Sequence, residues 1–89
     1  MKCDENFVKS VVFTKIIENV TESSGKKIDS VTAEQSLDND LGLDSLDRLL
    51  LIIEIEQILN ICTLMEEVDQ LETVQDVLDL CNKKRTEKN

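Results

Sequence analysis

One serine in this chain is a candidate for chemistry because acidic residues lie on both sides of it. Ser45 follows Asp44 and precedes Leu46 and Asp47, and Gly42 lies three residues earlier. A serine in the first turn of a helix presents its hydroxyl beside backbone N–H groups that have no partner inside the helix, a setting that favours a phosphate diester. Gly42 permits the backbone turn that would expose the serine. Ser45 is therefore a candidate for covalent attachment through phosphate.

Catalysis by the chain alone is not expected. The sequence contains no histidine, so serine–histidine and cysteine–histidine pairs cannot form, and imidazole metal sites are excluded. No other base is evident that would activate Ser45 for hydrolysis. An EF-hand starting at Asp38 would need glycine and glutamate where Leu43 and Leu49 stand, and the register from Asp40 fails in the same way. We expect a non-catalytic protein with no resident metal.

Length and composition indicate one small folded domain. The chain has 89 residues, 40% of them hydrophobic, with 10 Lys and Arg against 19 Asp and Glu and a net charge of −9. The apolar content is too high for a disordered acidic tail, and the length is near the lower limit for a single core. A net negative charge repels nucleic acid, so we expect partners with basic patches and no nucleic acid.

The charge is concentrated in the middle of the chain. Fourteen acidic residues lie between Asp29 and Asp79, where Arg48 is the only cation. Basic residues return at the C-terminus, and residues 83–89 are interpreted as the frayed, solvent-exposed end of the last helix. We place all of residues 1–89 in one domain.

The cysteines and the N-terminus indicate a reduced, cytoplasmic protein. Cys3, Cys62 and Cys81 form no paired motif, and Cys62 and Cys81 are interpreted as small apolar packing residues. No apolar segment follows the N-terminal residues, and the longest unbroken apolar run is residues 49–53. We therefore expect neither secretion nor membrane insertion.

Apolar periodicity predicts helices at both ends of the chain and one in the middle. A helix is expected over roughly residues 5–21, followed by a long loop from Glu22 to Asp44. Because so long a loop is unusual in a small domain, a short turn of helix is expected around residues 32–36. Another helix starts at Asp44 or Ser45 and ends near Leu59 or Asn60. After a short acidic segment, the last helix has Thr73 as N-cap and ends near Lys84.

The middle helix carries two apolar faces. Leu51, Ile52, Ile55 and Leu59 are assigned to the core, and Leu46, Leu49 and Ile53 to a face that meets a partner or another element. No stretch alternates with period two, so the fold class is all-α. We expect a small bundle of three main helices and one short helix, with a long loop between helices one and two.

The segment from Asp40 to Asp47, Asp-Leu-Gly-Leu-Asp-Ser-Leu-Asp, resembles the phosphopantetheine attachment site of acyl carrier proteins. The hallmark of that site is Asp-Ser-Leu behind a Leu-Gly turn. Chain length, the acidic centre and the downstream pattern of Thr73, Val74 and Asp76 agree with the family, so the resemblance extends over essentially the whole chain. It implies an acyl-carrier fold and a carrier, usually a monomer, that shuttles acyl groups for fatty acid, lipid or polyketide synthesis.

The resemblance also implies roles for individual residues. Ser45 would carry 4'-phosphopantetheine, attached by a phosphopantetheinyl transferase, and Asp44 would help to hold the magnesium ion of that encounter. Acyl groups would then travel as thioesters on the arm to synthase and acyl-transfer enzymes. The positions expected to contact partners lie on the middle helix and in the acidic segment: Leu46, Asp47, Leu49, Ile53, Glu54, Glu56, Glu66 and Glu67.

The chain departs from the family in the middle helix. Residues 49–53 are an unbroken apolar run where the family is rich in glutamate, and Arg48 adds a cation close to Ser45. These differences leave the pathway open, including an aminoacyl or peptidyl carrier. An acidic helical adaptor that has the carrier fold and is never modified also stays open as an alternative.

Overall fold

The protein is described by a computed structural model that covers residues 4–25, 28 and 30–88. Four helices occur in the order α1 (Asp4–Ser24), α2 (Ser45–Leu59), α3 (Met65–Asp69) and α4 (Val74–Lys88). No β-strand is present in these ranges; the only extended pairing there is an isolated bridge between Ser36 and Thr73. The predicted all-α fold, with three main helices and one short one, is confirmed.

Helix α1 has one apolar stripe, and that stripe faces the core. Val8, Val12, Ile16 and Val20 recur every four residues and are all buried. The helix continues three residues beyond the predicted end at residue 21. It stops at Gly25, whose positive φ of 75° ends the helix while its N–H donates to the Thr21 carbonyl oxygen at 2.9 Å.

The long loop before α2 is held to the core by its own apolar side chains. Leu37, Leu41 and Leu43 are buried. The backbone N–H of Leu37 also donates to the carbonyl oxygen of Glu72 at 2.8 Å, beside the bridge between Ser36 and Thr73. The loop is therefore part of the folded structure over this stretch, although it forms no helix.

The short helix predicted around residues 32–36 is wrong. This stretch is a turn, with a hydrogen bond from Gln35 N–H to the Thr32 carbonyl oxygen, followed by the bridge at Ser36. The Asp40 carboxylate accepts the Ser36 N–H at 2.8 Å, so a side chain provides the acceptor that a helix would have provided from the backbone. The one short helix of the described residues is α3, in the acidic segment.

The apolar residues of α2 lie on a buried face and a more exposed face, as the sequence predicts. Leu51, Ile52, Ile55 and Leu59 are buried. The helix ends at Asn60, which adopts the left-handed conformation (φ 60°) and donates its N–H to the Glu56 carbonyl oxygen at 2.7 Å.

Helix α4 starts with a reciprocal pair of side-chain bonds. Thr73 Oγ1 accepts the Asp76 N–H at 3.2 Å, and the Asp76 carboxylate accepts the N–H groups of Thr73 and Glu72. This confirms Thr73 as the predicted N-cap. The residues expected to face inward are all buried: Val74, Val77, Leu78 and Cys81.

The predicted end of the last helix near Lys84 is too early, because α4 continues to Lys88. Residues 83–88 are helical, the frayed end stays a prediction, and Asn89 lies outside the described residues. Arg85 Nη1 donates to the Leu59 carbonyl oxygen at 2.9 Å, which gives the end of α2 a partner. The Arg85 guanidinium also lies 5.9 Å from the centre of the Phe7 ring. Contacts far apart in sequence thus stabilise the basic last turns.

The two cysteines in the described residues differ in their surroundings. Cys81 is buried in the core, and this burial raises the pKa of its thiol to about 12. Cys62 is exposed, so its predicted role as a packing residue is wrong. Cys3 lies outside the described residues.

The core prediction can be tested with two isoleucines of α2. Ile55→Ala should lower the free energy of unfolding by about 2–5 kcal/mol, since the side chain is fully buried. Ile58→Ala is the matched control, because Ile58 is 44% exposed, and its cost should stay below about 1 kcal/mol. Urea unfolding followed by circular dichroism measures both, and equal losses would contradict the assignment of faces.

Candidate functional site

Ser45 is the first residue of α2 and its side chain is exposed. The three residues before Asp44 explain this position. Leu41 and Leu43 are buried on either side of exposed Gly42, and the Leu43 N–H donates to the Leu37 carbonyl oxygen at 2.8 Å. Gly42 has a φ of 71°, which a residue with a side chain rarely adopts. Two buried anchors and a glycine turn therefore place Ser45 at the surface.

Asp44 and Asp47 hold the backbone on both sides of the serine. Asp44 Oδ1 accepts the Asp47 N–H at 2.9 Å, and Asp47 Oδ2 accepts the Asp44 N–H at 3.4 Å. This reciprocal arrangement is a capping box and satisfies two backbone donors at the start of the helix. Ser23 Oγ, near the end of α1, also donates to Asp47 Oδ2 at 3.3 Å. The start of α2 is thus fixed relative to α1, with the Asp44 carboxylate next to Ser45.

The electrostatic setting of the serine suits an anionic substituent that an external enzyme attaches. Ser45 lies at the positive end of the dipole of a 15-residue helix. Among the described residues, no group of three or more histidine, cysteine, aspartate and glutamate side chains is arranged to hold a metal ion. A serine in this arrangement can accept a group through its exposed hydroxyl oxygen.

Arg48 is turned toward the body of the protein. Its Nη1 donates to the Leu71 carbonyl oxygen at 2.9 Å, in the segment between α3 and α4. Its Nε is buried and has no hydrogen-bond partner. The pKa of Asp38 is held below its ordinary value, chiefly because the Ser36 hydroxyl donates to its carboxylate, with the Asn39 N–H and the Arg48 charge adding to this. Arg48 of α2 thus bonds to the segment between α3 and α4, and its charge acts on Asp38 in the loop before α2.

Three of the four glutamates that the sequence assigns to partner contacts bond to groups of their own chain. Glu54 accepts from Asn19 Nδ2 of α1 at 3.2 Å. Glu56 accepts both the N–H and the hydroxyl of Thr63, at 2.8 and 2.6 Å. Glu67 pairs with Lys84 Nζ at 3.0 Å and accepts the Leu64 N–H at 2.8 Å.

The structure exposes two of the predicted apolar contact residues of α2 and shows three further exposed apolar side chains that sequence reasoning missed. Leu46 is 62% exposed, Ile53 is exposed and Leu49 is half-buried. The missed residues are Leu50, which follows Leu46 by one helical turn, and Leu64 and Met65 at the start of α3. We call the five exposed side chains the apolar ridge: Leu46, Leu50, Ile53, Leu64 and Met65. The spacing of Leu50 from Leu46 is the signal that would have found it.

A small cleft of about 130 Å³ lies between α2 and α3 beside the ridge. Leu49 and Ile53 line it from α2, and Leu64, Met65 and Val68 line it from the α3 side. The four core residues of α2 are buried, and of these only Ile52 reaches the cleft.

Comparison with known proteins identifies the family. Residues 14–81 match the model of the phosphopantetheine attachment site family, a range that includes Ser45 and most of α4. The chain belongs to the acyl carrier protein family. The acyl carrier protein of Exiguobacterium sp. is 34% identical over 70 residues, which is 79% of this chain and 89% of that protein. That of Bdellovibrio bacteriovorus is 36% identical over 73 residues, covering 82% and 94% of the two chains.

A solved structure of the family has the same fold. The crystal structure of the acyl carrier protein from Thermotoga maritima superposes with a TM-score of 0.76 at 27% identity, covering 92% of this chain and 95% of that one. The protein therefore has an acyl carrier role, which in this family is typically exercised in fatty acid synthesis. Proteins of the family are carriers rather than catalysts.

The residues present fit the phosphopantetheine group that the family implies. An exposed hydroxyl at a helix start meets the requirement for a phosphodiester, and the capping carboxylate of Asp44 lies next to it. Within the described residues, no helix combines the length and apolar character needed to cross a bilayer.

The Glu67 contacts predict an acid-sensitive part of the stability. The pKa of Glu67 lies below its ordinary value of 4.5, mainly because the Leu64 N–H donates to its carboxylate and then because of Lys84. A carboxylate with a lowered folded-state pKa stabilises the fold above its unfolded pKa, and this contribution is lost as the pH falls through the folded value. When the pH is lowered from about 6 to about 3, the melting temperature of Glu67→Gln should therefore fall less than that of the parent.

Glu66→Gln is the matched control for this experiment, because Glu66 is an exposed neighbour in the same short helix. Melting curves of the three proteins across the pH range make the comparison. If Glu67→Gln follows the parent in parallel at every pH, the proposed contribution of the Glu67 contacts is absent.

Proposed function

We propose that Ser45 is the residue that carries the 4'-phosphopantetheine arm. Ser45 Oγ forms the new ester bond to phosphorus, the pyrophosphate bond of coenzyme A breaks, and adenosine 3',5'-bisphosphate leaves. In this proposal the serine proton passes to a base of the phosphopantetheinyl transferase, since this chain has no histidine and the Asp44 carboxylate is engaged as the helix cap. The observation that carries the proposal is that Ser45 is exposed at the start of α2. The buried leucines Leu41 and Leu43 precede it, and the capping box of Asp44 and Asp47 fixes the start of the helix.

Asp44 has two proposed roles. Its carboxylate caps α2 through the Asp47 N–H, and it lies next to the serine that is to be modified. In the complex with the transferase we propose that it also contributes to holding a magnesium ion, for which carboxylate and phosphate oxygens are normal ligands. The capping role needs only a hydrogen-bond acceptor, which a neutral side chain can also supply. The metal-binding role needs the negative charge of the carboxylate. A substitution that keeps the acceptor and removes the charge therefore separates the two roles.

We propose that the loaded protein is a non-catalytic shuttle for synthase and acyl-transfer enzymes. The terminal thiol of the arm would hold the acyl group as a thioester, while this chain supplies the docking surface. The acidic surface should speed encounters with basic partners. The proposed contacts combine the exposed apolar face of α2 with acidic residues of α2 and α3: Leu46, Asp47, Leu49, Ile53, Glu54, Glu56, Glu66 and Glu67. We propose a single domain acting as a monomer, supported by one apolar cluster that all four helices share. The cytoplasmic location stays a prediction.

An unmodified adaptor with the carrier fold is the second candidate. The observation that favours it is the apolar ridge, which would serve a binding module whether or not Ser45 is modified. The two functions differ in one bond, that between Ser45 Oγ and phosphorus.

Intact mass spectrometry decides between them. After incubation with coenzyme A, magnesium and a broad-specificity phosphopantetheinyl transferase, the parent chain should gain the mass of one phosphopantetheine group. Ser45→Ala should gain none, because the accepting oxygen is missing. No gain by the folded parent with either this transferase or a cognate one would favour the adaptor.

Substitution of Asp44 separates its two roles. Asp44→Asn should keep the helix cap and the melting temperature, because asparagine is as good an N-cap as aspartate. It should nevertheless slow modification of Ser45 at least about tenfold, since the carboxylate charge is missing. Asp44→Ala should in addition lose about 1 kcal/mol of stability. Equal modification rates for Asp44→Asn and the parent would show that the carboxylate has no part in the transfer.

A further inference from the structure

Arg48 is a cation in the acidic centre of the chain, yet it forms no ion pair with another described residue. Its Nη1 donates to the Leu71 carbonyl oxygen, and its Nε is buried without a hydrogen-bond partner. A buried donor that has lost water and gained no acceptor costs free energy. The guanidinium therefore keeps hydrogen-bonding capacity that the unmodified chain does not use.

The unused capacity lies on one edge of the guanidinium group. The N–H of Nε and one N–H of Nη2 lie side by side on that edge, and no described residue accepts from either. Two parallel donors in this geometry match two oxygens of a phosphate group, which arginine binds through both at once. Because Arg48 as a whole is only half-buried, a small rotation of its side chain would present this edge to an anion at the surface.

The carboxylates of the neighbouring segments do not take this edge, because they are bonded to other groups. Asp38 Oδ1 accepts the Ser36 hydroxyl at 3.0 Å and the Asn39 N–H at 2.7 Å. The Asp44 carboxylate is engaged as the cap of α2. An anion that reaches Arg48 would therefore not have to displace an existing ion pair.

Ser45 is the position from which such an anion would come. It precedes Arg48 by one helical turn on α2, so the two side chains lie about 60° apart around the helix and their Cβ atoms about 5–6 Å apart. An arginine side chain is long enough to span this separation. The phosphodiester proposed for Ser45 would also add a negative charge beside Asp44 and Asp47, where a cation would offset the repulsion.

We propose that Arg48 is a positioning residue for the 4'-phosphopantetheine arm and holds the phosphodiester on Ser45 with its Nε and Nη2 groups. The inference rests on the proposed function, because the phosphate is present only once Ser45 has been modified. The pairing gives the buried Nε a partner and offsets the repulsion from the capping carboxylates. It also directs the start of the arm along the side of α2 that faces Leu71, instead of leaving the arm free to swing.

A thermodynamic cycle separates positioning from a purely structural role. Arg48→Gln keeps a donor for the Leu71 carbonyl oxygen and removes the charge, and its melting temperature is compared with that of the parent before and after modification of Ser45. The loss caused by Arg48→Gln should be at least about 4 °C larger in the modified protein, because the pairing exists only there. A purely structural Arg48 would give equal losses in the two forms.

Arg85→Gln is the matched control. Arg85 is the only other arginine of the chain, and its Nη1 also donates to a backbone carbonyl oxygen, that of Leu59 at 2.9 Å. Leu59 is the last residue of α2, about 21 Å from Ser45 along the helix axis. The loss of melting temperature caused by Arg85→Gln should therefore be the same before and after modification.

Phosphorus NMR of the modified proteins observes the phosphate directly. Pairing with Arg48 restricts the motion of the phosphodiester, so its signal in the parent should be at least about twofold broader than in Arg48→Gln. Arg48→Lys keeps the charge but lacks the planar fork, and it should give an intermediate width. Arg85→Gln should match the parent.

Intact mass is measured first on every protein and separates this inference from the proposed function. A folded parent that gains no phosphopantetheine overturns the proposed function, and the inference falls with it. Where Ser45 is modified, equal melting losses for Arg48→Gln in the two forms, or a phosphorus signal of unchanged width, would overturn the inference alone. If Arg48→Gln does not fold or is not modified, Arg48→Lys provides both comparisons.

Discussion

The reciprocal bonds between Asp44 and Asp47 at the start of α2 are the interaction on which the functional part of the structure depends. They determine where the helix begins, and that in turn makes Ser45 its first residue. The buried leucines before Asp44 fix the direction from which the chain enters, and the left-handed backbone at Gly42 allows it to turn. A shift of this start by one residue would rotate the serine by about 100° around the helix axis. The same few bonds therefore govern the exposure of Ser45, the direction of α2 and the placement of the Asp44 carboxylate.

The distribution of charge follows from a core that holds no polar side chain among the described residues. No acidic side chain is buried in the part of the chain that the structure describes, so the outward field there is strongly negative. Three cations of the described residues bond within the chain instead: Arg48 and Arg85 donate to the carbonyl oxygens of Leu71 and Leu59, and Lys84 pairs with Glu67. The apolar ridge then appears as an interruption in an anionic surface, on the helix that begins with the proposed modification site.

The start of α2 and the exposed serine there were predictable because the signals involved are local. A serine after aspartate, a glycine two residues before that aspartate and an apolar helix behind it lie within a few residues of one another. The inward faces of α2 and α4 were also predictable, since helical spacing of Leu51, Ile55, Val74 and Val77 specifies a face without knowledge of its neighbours. The N-cap at Thr73 was found in the same way, from a threonine three residues before an aspartate.

The features that the sequence did not reveal depend on residues far apart in the chain. Residues 32–36 form a turn and not the predicted helix because Ser36 forms a β-bridge with Thr73. Helix α4 extends beyond its predicted end because Arg85 donates to the carbonyl oxygen of Leu59. The exposure of Leu64 and Met65, and the inward turn of Arg48, likewise follow from how α3 and α4 pack against α2.

The amino-acid sequence by itself determined the helical class, the position of the candidate serine at the start of α2 and the two faces of α2, since each depends on spacing within one segment. Only the tertiary structure decided which carboxylates bond within the chain and how far the apolar surface extends. Those properties depend on distances between helices and loops that are far apart in sequence. These distances become short only when the common core forms.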